Sequence, residues 1–499
     1  WEGTLAGAFL QSRLASGFCN GKNYAGHFGT PDPAFSSLSL LRVARMNTEH
    51  LTEAEKFLQQ NPAIHEFDLL LPDMNAVLRG KRILREKLLS IYKKGFYFPV
   101  SVFGMDVTGE TMEETGLGFE SGDQDLPCYP IPETLKVVPW QKDRGQLLLR
   151  MFEVDGSPFY GNPREVLKSV CLKMADSGWN AVVAIEMEFF LTDQKRRPGH
   201  PPRPASSPAS GQRESEGQLY SLTTLDNYDS FLKDISDSAD KQNVPVDTAL
   251  AELSPGQFEI NLHHVPDAIQ ACDHAILLKR IIRSISQKHK MEASFMPKIY
   301  PDLPGNGMHV HLSLLDTEGR NVFQGSDALG SPELRNAVEG LRSVMVESML
   351  ICAPHANSYH RFQSDSCAPV NMSWGYNNRT VSIRIPASEG PDTRIEHRLA
   401  GADANPYLLV AALLSGILHG LKEKNDPPQP VEGNAYLQTD LEFPETWEEA
   451  RNHFEQAEIL PQYFGREFCQ LFANLKKGEQ SRFFSKIAPL EYEWYLKTV

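Results

Sequence analysis

The apolar run Ala181-Val-Val-Ala-Ile185 continues into Glu186-Met187-Glu188-Phe189-Phe190-Leu191, so two carboxylates enter a segment fit for burial. Side chains in a strand alternate faces, which puts Glu186 and Glu188 on the same one. An edge strand would show them to water, but Val182, Ile185, Phe189, Phe190 and Leu191 leave little of this strand for solvent. Two like charges at that spacing repel, and an unpaired carboxylate is costly in a low-dielectric interior. The fold must therefore bring a metal ion, arginines or both to this strand.

Other segments carry groups suited to that task. Ala251-Glu252-Leu-Ser-Pro-Gly-Gln257-Phe-Glu259 sets two more acids around a turn. Gly305-Asn-Gly-Met-His309-Val-His311-Leu-Ser313 puts two imidazoles on one strand face after a flexible glycine loop. An isolated His-x-His is ordinarily structural. Beside these acids it reads as a ligand strand, and mostly carboxylate coordination favours magnesium or manganese over zinc.

Arg394-Ile-Glu396-His-Arg398 sets Arg, Glu and Arg in one row, a site for an anion plus a cation. The simpler reading is a solvated strand whose charges pair with one another. Arg361, Arg379 and Arg384 add guanidiniums, which bind carboxylate and phosphate through bidentate forks, although any one of them can instead serve an interface ion pair. Taken together, the acids, imidazoles and arginines point to phosphoryl transfer onto a carboxylate-like acceptor. No GxxxxGKS/T or GxGxxG element leads into a helix, so a nucleotide is held in another way.

Composition narrows the partners. Asp plus Glu outnumber Lys plus Arg by 64 to 49, and the formal charge of -15 argues against nucleic acid or an anionic membrane. No stretch reaches the roughly 20 apolar residues of a membrane helix. Seven cysteines, without a CxxC pair and odd in number, fit neither a disulfide framework nor a zinc site. A reducing cytoplasm is the expected location.

A chain of 499 residues exceeds one ordinary core. Residues 1–48 read as an extension, disordered or not native, and are left out of the fold. The spacing predicts helices over 49–60, 81–92 and 163–177 and strands over 67–72, 98–105, 146–152 and 180–191. This gives a strand-rich domain at 49–140 and a larger mixed domain at 141–499. A Pro-, Ser- and Arg-rich stretch at 194–218 cannot bury apolar surface and is expected to be a mobile insertion.

The order Glu-x-Glu-Phe-Phe, Pro-Gly-Gln-x-Glu, Gly-x-Gly-Met-His-x-His, Asn-Arg-x-x-x-Ile-Arg-Ile-Pro and Arg-Ile-Glu-x-Arg, then Ala404-Asn405-Pro406-Tyr407, resembles the glutamine synthetase family. The resemblance runs from about residue 64 to the end. Pro255-Gly-Gln-Phe-Glu-Ile-Asn-Leu-His-His, Trp374-Gly-Tyr-Asn-Asn-Arg-Thr and Gly433-Asn-Ala-Tyr bring it closest to the γ-glutamylpolyamine or γ-glutamylputrescine synthetase branch.

That resemblance implies an α+β fold: an N-terminal β-grasp domain and a catalytic domain whose curved antiparallel sheet is flanked by helices. It implies a homo-oligomer with sites between subunits, commonly two stacked hexameric rings. Glu188, Glu252 and Glu259 match the ligands of a first metal, and Glu186, His309 and Glu396 those of a second, with two or three Mg2+ or Mn2+ ions per site. Gly305, Arg361 and Arg398 match substrate-binding positions. Arg379 and Arg384 match groups facing the transferred phosphoryl group, while His311, Ser313, Arg384 and Arg394 lie on the ATP side. Asp106 resembles an aspartate that reaches a neighbouring subunit's site and positions the amine.

Two departures bear on the acceptor. Ammonia-using members carry a glutamate where this chain has Cys367 and an asparagine where it has Pro304. Losing a carboxylate weakens selection of a small cation and leaves room for a longer amine. The expectation is an ATP-dependent glutamate–amine ligase acting through γ-glutamyl phosphate, with a polyamine such as putrescine as acceptor. Ammonia-using glutamine synthetase is the nearer alternative, and a catalytically silent structural or regulatory relative the second.

Overall fold

The computed structural model describes residues 50–499 apart from 198, 326–329, 365, 389 and 439–443. The extension expected at 1–48 lies outside the described residues. Residues 50–60 form the first helix, as predicted. Strands β1 (Glu66–Pro72), β2 (Leu78–Leu84), β3 (Phe96–Pro99), β4 (Asp125–Pro130), β5 (Lys136–Val137) and β6 (Arg144–Met151) make one sheet of order β2-β1-β6-β4-β3, with β5 on β6. Its β1–β6 pair is parallel and the others antiparallel.

Three local expectations yield to tertiary pairing here. Lys81–Leu84, expected as helix, belong to β2, because the buried strand β1 takes them as its antiparallel partner. The helix starts only at Leu88. Past Pro99 the expected strand tightens into a buried 3-10 turn over Val100–Gly104, since proline offers no N–H to the ladder. Arg144–Met151, counted with the second domain, lies in the middle of the first sheet, so that sheet runs past residue 140.

The second sheet contains β7 (Asn180–Asp193), β8 (Val246–Ala251), β9 (Gln257–Leu262), β10 (Met291–Ser294), β11 (Met308–Leu315), β12 (Trp374–Tyr376), β13 (Ile383–Ile385) and β14 (Ile395–His397). Its order is β12-β13-β14-β11-β7-β9-β8, with β10 on β7, and only β12–β13 among these pairs is parallel. This is the α+β class with a curled, mostly antiparallel catalytic sheet that the sequence led us to expect. Alternation divides its faces. Met308, Val310, Leu312 and Leu314 of β11 and Val183, Ile185, Met187 and Phe189 of β7 are buried on the core side.

Helices Pro163–Asp176, Ala268–Lys288 and Pro406–Glu423 fill that core. Each begins at an Asn or Asp whose side chain accepts from the first turn: Asn162, Asp267 and Asn405. Pro406–Glu423 is buried along nearly its whole length and meets helix Pro332–Ser343 backbone to backbone. At Gly340 a Cβ would sit 2.0 Å from the Gly416 carbonyl oxygen, so only glycine permits this approach.

The stretch 194–218 is not the free insertion its composition suggested. Ala205 is buried and its carbonyl accepts from the Tyr228 hydroxyl at 2.9 Å, while Arg213 pairs with Asp193. An isolated bridge, Thr192–Pro204, anchors it to the end of β7, and another, Ser206–Arg213, closes it on itself. Among the described residues, no helix is long and apolar enough to cross a membrane, and all six described cysteines are free thiols.

Buried polar contacts join the domains, among them those of Asn405 and Lys476. Asn405 donates to the Asp73 and Met74 carbonyls at 3.1 Å each. Lys476, fully buried, donates to Asn75 at 2.6 Å and to Glu479 at 2.8 Å. Lys476→Ala leaves the Glu479 carboxylate buried without its cation and should destabilise the protein by about 3 kcal/mol, read as a lower Tm and an earlier urea midpoint.

Candidate active site

Strand register collects the polar side chains on the other face of the second sheet. Glu186 stands opposite His309, His311 opposite Glu396, Glu188 opposite Glu259, and Arg384 opposite Glu396. Glu252 joins from the turn before β9. These residues line a cavity of about 590 Å³ together with Gly305, Arg361, Arg379, Arg394 and Arg398. The Arg394–Arg398 row is therefore a site wall, and His397 turns into the core, where burial pushes it down to about 3.

The ligand set expected for the first metal comes together. Glu188, Glu252 and Glu259 present oxygens within 4.8 Å of one another. Two further triads share Glu186: Glu186, Glu259 and His309, and Glu186, His311 and Glu396. The second metal's expected set of Glu186, His309 and Glu396 is thus spread over two overlapping triads, and His311, assigned to the nucleotide side, also offers a ligand nitrogen.

The donor chemistry fits hard dications. His309 and His311 donate to the two oxygens of Glu186 at 3.0 and 2.8 Å. Burial alone would raise Glu186, but these imidazoles hold it well below the usual carboxylate range. Burial, then Glu188, push Glu252 up to about 8; burial, then Glu186, Glu188 and Glu252, push Glu259 up to about 10. Acids so crowded cannot all ionise without a cation among them.

Arginine supplies the remaining countercharge. Although burial opposes it, Arg398 and the imidazoles hold Glu396 at about 2. Arg398 and Arg384 each donate to a different Glu396 oxygen, Arg384 at 2.6 Å. Arg361 is anchored on the Leu399 carbonyl at 3.1 Å. The Nε groups of Arg361, Arg384 and Arg398 are buried without a partner, as donors awaiting an anion would be.

Beside this cavity lies a second of about 510 Å³, sharing Glu186, Asn261, His311 and Arg394 and lined also by Ser313. Of the residues assigned to the nucleotide, His311, Ser313 and Arg394 line this second cavity, while Arg384 lines only the first. Asp106 does not join either cavity. It lies at the domain junction, where Thr108 and Glu110 amides donate to it at 2.7 and 3.0 Å and Arg482 pairs with it. Despite burial, these bonds keep its carboxyl below the usual range.

Sequence reasoning missed Asn261, whose Oδ1 is buried and unpartnered beside Glu259. Its i+2 spacing from Glu259 on β9 was the available signal. Gln257 was quoted without a role; its amide bridges Glu188 at 3.3 Å, the Gly305 carbonyl at 3.0 Å and Asn306 at 3.1 Å.

The family description "Glutamine synthetase, catalytic domain" matches residues 160–495. The chain is 41% identical to the gamma-glutamylputrescine synthetase PuuA of Escherichia coli (strain K12), over 91% of this chain and 96% of that one. It is 31% identical to a glutamate–isopropylamine ligase of Pseudomonas sp, over 92% and 100% of the two chains. The solved "GmaS/ADP complex" superposes with a TM-score of 0.75 at 26% identity, covering 88% of this chain and 98% of that one.

The raised acids give a pH signature. Glu252 and Glu259 hold protons when folded that the unfolded chain, with an ordinary value of 4.5, has lost. Their contribution to stability is full at low pH and falls as pH rises through about 8. Divalent cations oppose the fall by binding the deprotonated acids. In scanning fluorimetry the metal-free Tm should drop between about pH 6 and pH 8, and the gain from Mg2+ or Mn2+ should be larger at the higher pH.

Proposed function

The chain belongs to the glutamine synthetase family, and from that premise we propose that it is an ATP-dependent ligase joining the γ-carboxylate of glutamate to an organic amine, putrescine foremost. The observation that carries this is the cavity in which five carboxylates and two imidazoles meet the buried, unpartnered Nε donors of Arg361, Arg384 and Arg398.

A γ-carboxylate is a poor electrophile, so the γ-phosphoryl group of ATP is first transferred to it, giving γ-glutamyl phosphate. Arg361 and Arg398 offer their buried, unpartnered Nε donors to glutamate and its phosphorylated form. Arg379 and Arg384 face the transferred phosphoryl group and offset the charge that builds there. His311, Ser313 and Arg394 hold the nucleotide in the adjoining cavity. Two or three Mg2+ or Mn2+ ions, held by Glu186, Glu188, Glu252, Glu259, His309 and Glu396, would shield the phosphates and polarise the carbonyl.

The amine attacks as the free base, so its ammonium form must give up a proton. Asp106, contributed by a neighbouring copy, would position the ammonium form as a carboxylate that its own hydrogen bonds keep ionised. Two stacked hexameric rings in the cytoplasm complete the reading. Cys367 and Pro304 at the acceptor end favour an organic amine over ammonia.

Purified protein given ATP, Mg2+, glutamate and a panel of amines should release phosphate with putrescine and short alkylamines far faster than with ammonia. Release with ammonia alone would refute the reading. Glu396→Ala removes both a ligand and the partner of Arg384 and Arg398, and should lower ligation by about 100-fold or more with the oligomer intact by size-exclusion chromatography.

A further inference from the structure

A cavity of about 750 Å³ opens at the domain junction, apart from the two already described. Val77 and Val107 of the first domain line it, with Phe295, Met296, Trp447 and Phe483 of the second. Three acids line it as well, and each already has a partner: Asp106 has Arg482, Asp403 has His355 and Ser358, and Glu479 has Lys476.

The cations on its floor are not matched in this way. Lys279 and Arg283 lie one turn apart on helix Ala268–Lys288, where like charges repel. Both heads stand over the same Phe295 ring, at 5.4 and 5.1 Å from its centre. Among the described residues neither enters an ion pair, and Lys279 donates to the neutral Ala402 carbonyl. Burial, then Arg283, push Lys279 down to about 7, which Asp403 opposes only in part. Trp447, 5% exposed, adds a buried indole N–H that has no acceptor. Where the active cavity gathers acids that need a cation, this one gathers donors that need an anion.

This chain closes the floor by itself, leaving Lys279 6% and Phe295 4% exposed. Val107, 48% exposed beside Asp106, stands at the mouth, where a neighbouring copy reached by Asp106 would meet it. The walls also back the active centre. The Pro297 and Met296 carbonyls accept from the Asn306 amide and side chain at 2.8 and 3.0 Å, and Asn306 accepts in turn from Gln257, which bonds Glu188. His355 caps the 3-10 turn Ala356–Arg361, the last residue of which is the buried Arg361.

We propose that this cavity binds an organic carboxylate with an apolar body of one or two rings, held by Lys279 and Arg283, and that the ligand tightens glutamate binding from behind the glycine loop. The site goes beyond the ligase reading; only its effect on glutamate rests on that reading. The anion ends the repulsion between the two cations and steadies Phe295-Met296-Pro297, from which Asn306 hangs. Apolar walls with a few convergent donors are the usual make-up of a small-molecule site.

Isothermal titration with 2-naphthoate tests the site, with glutamate present to keep the probe out of the active cavity and uncharged 2-naphthamide as control. Wild-type protein should bind the acid about tenfold or more tightly than the amide, and Lys279→Met and Arg283→Met should each lose about tenfold in affinity for the acid. Without ligand, the Tm of Lys279→Met should equal or exceed that of wild type, since a buried unpaired amine is gone. In the ligase assay 2-naphthoate should lower the KM for glutamate about fivefold, and Arg283→Met should abolish that shift. No binding of the acid, equal affinity for acid and amide, or undiminished affinity in both variants refutes the site. A smaller oligomer in either variant refutes it too, because the cations then serve a neighbouring copy. Binding that leaves the KM unchanged refutes the effect on glutamate. If no glutamate-dependent turnover is seen at all, the ligase reading fails while the titration still decides the site.

Discussion

Like charges gathered at one point set the terms for this molecule. Glu186, Glu188, Glu252, Glu259 and Glu396 converge on one cavity, and each pair repels unless something positive lies between. The sheet meets this demand by register, setting His309 against Glu186 and Arg384 against Glu396. Such buried pairs add little net stability, but they hold one arrangement open where a looser interior would collapse. The apolar face behind them, packed on Ala268–Lys288 and Pro406–Glu423, supplies the stiffness. A site of repelling acids can stay assembled only on a backing that does not give.

The site was legible in the chain because strands carry their own geometry. Period-two alternation put Glu186 beside Glu188, His309 beside His311 and Arg394 beside Glu396 before any pairing was known. The order of motifs then linked these segments to one family and gave most of the assignments. His311 shows where that was too coarse: one imidazole lies between the Glu186 carboxylate and the Arg394 guanidinium and serves both sides.

What stayed hidden was decided by partners distant in sequence. Lys81–Leu84 look helical by themselves and become strand because β1 needs an edge. Arg144–Met151 belong to the first sheet through a parallel pairing that no local pattern announces. The proline-rich stretch at 194–218 looks unfoldable by composition, yet Arg213, Ala205 and Gly217 fasten it to β7 and the turn after β8. Low hydrophobicity meant only that this stretch has no core of its own; it borrows one from its neighbours.

The strand order of the second sheet also governs how the protein is made. Glu188, Glu252 and Glu259 sit in β7, the turn after β8 and β9, and leave the ribosome early. Glu396 arrives with β14, which inserts between β13 and β11. These acids are therefore made well before the arginines that line the same cavity. Over the same interval β11 carries a bare edge, since its partner on that side has not been synthesised, and such an edge invites pairing with other chains. The late strand is at once the last part of the active centre and the cover that ends this vulnerable stage.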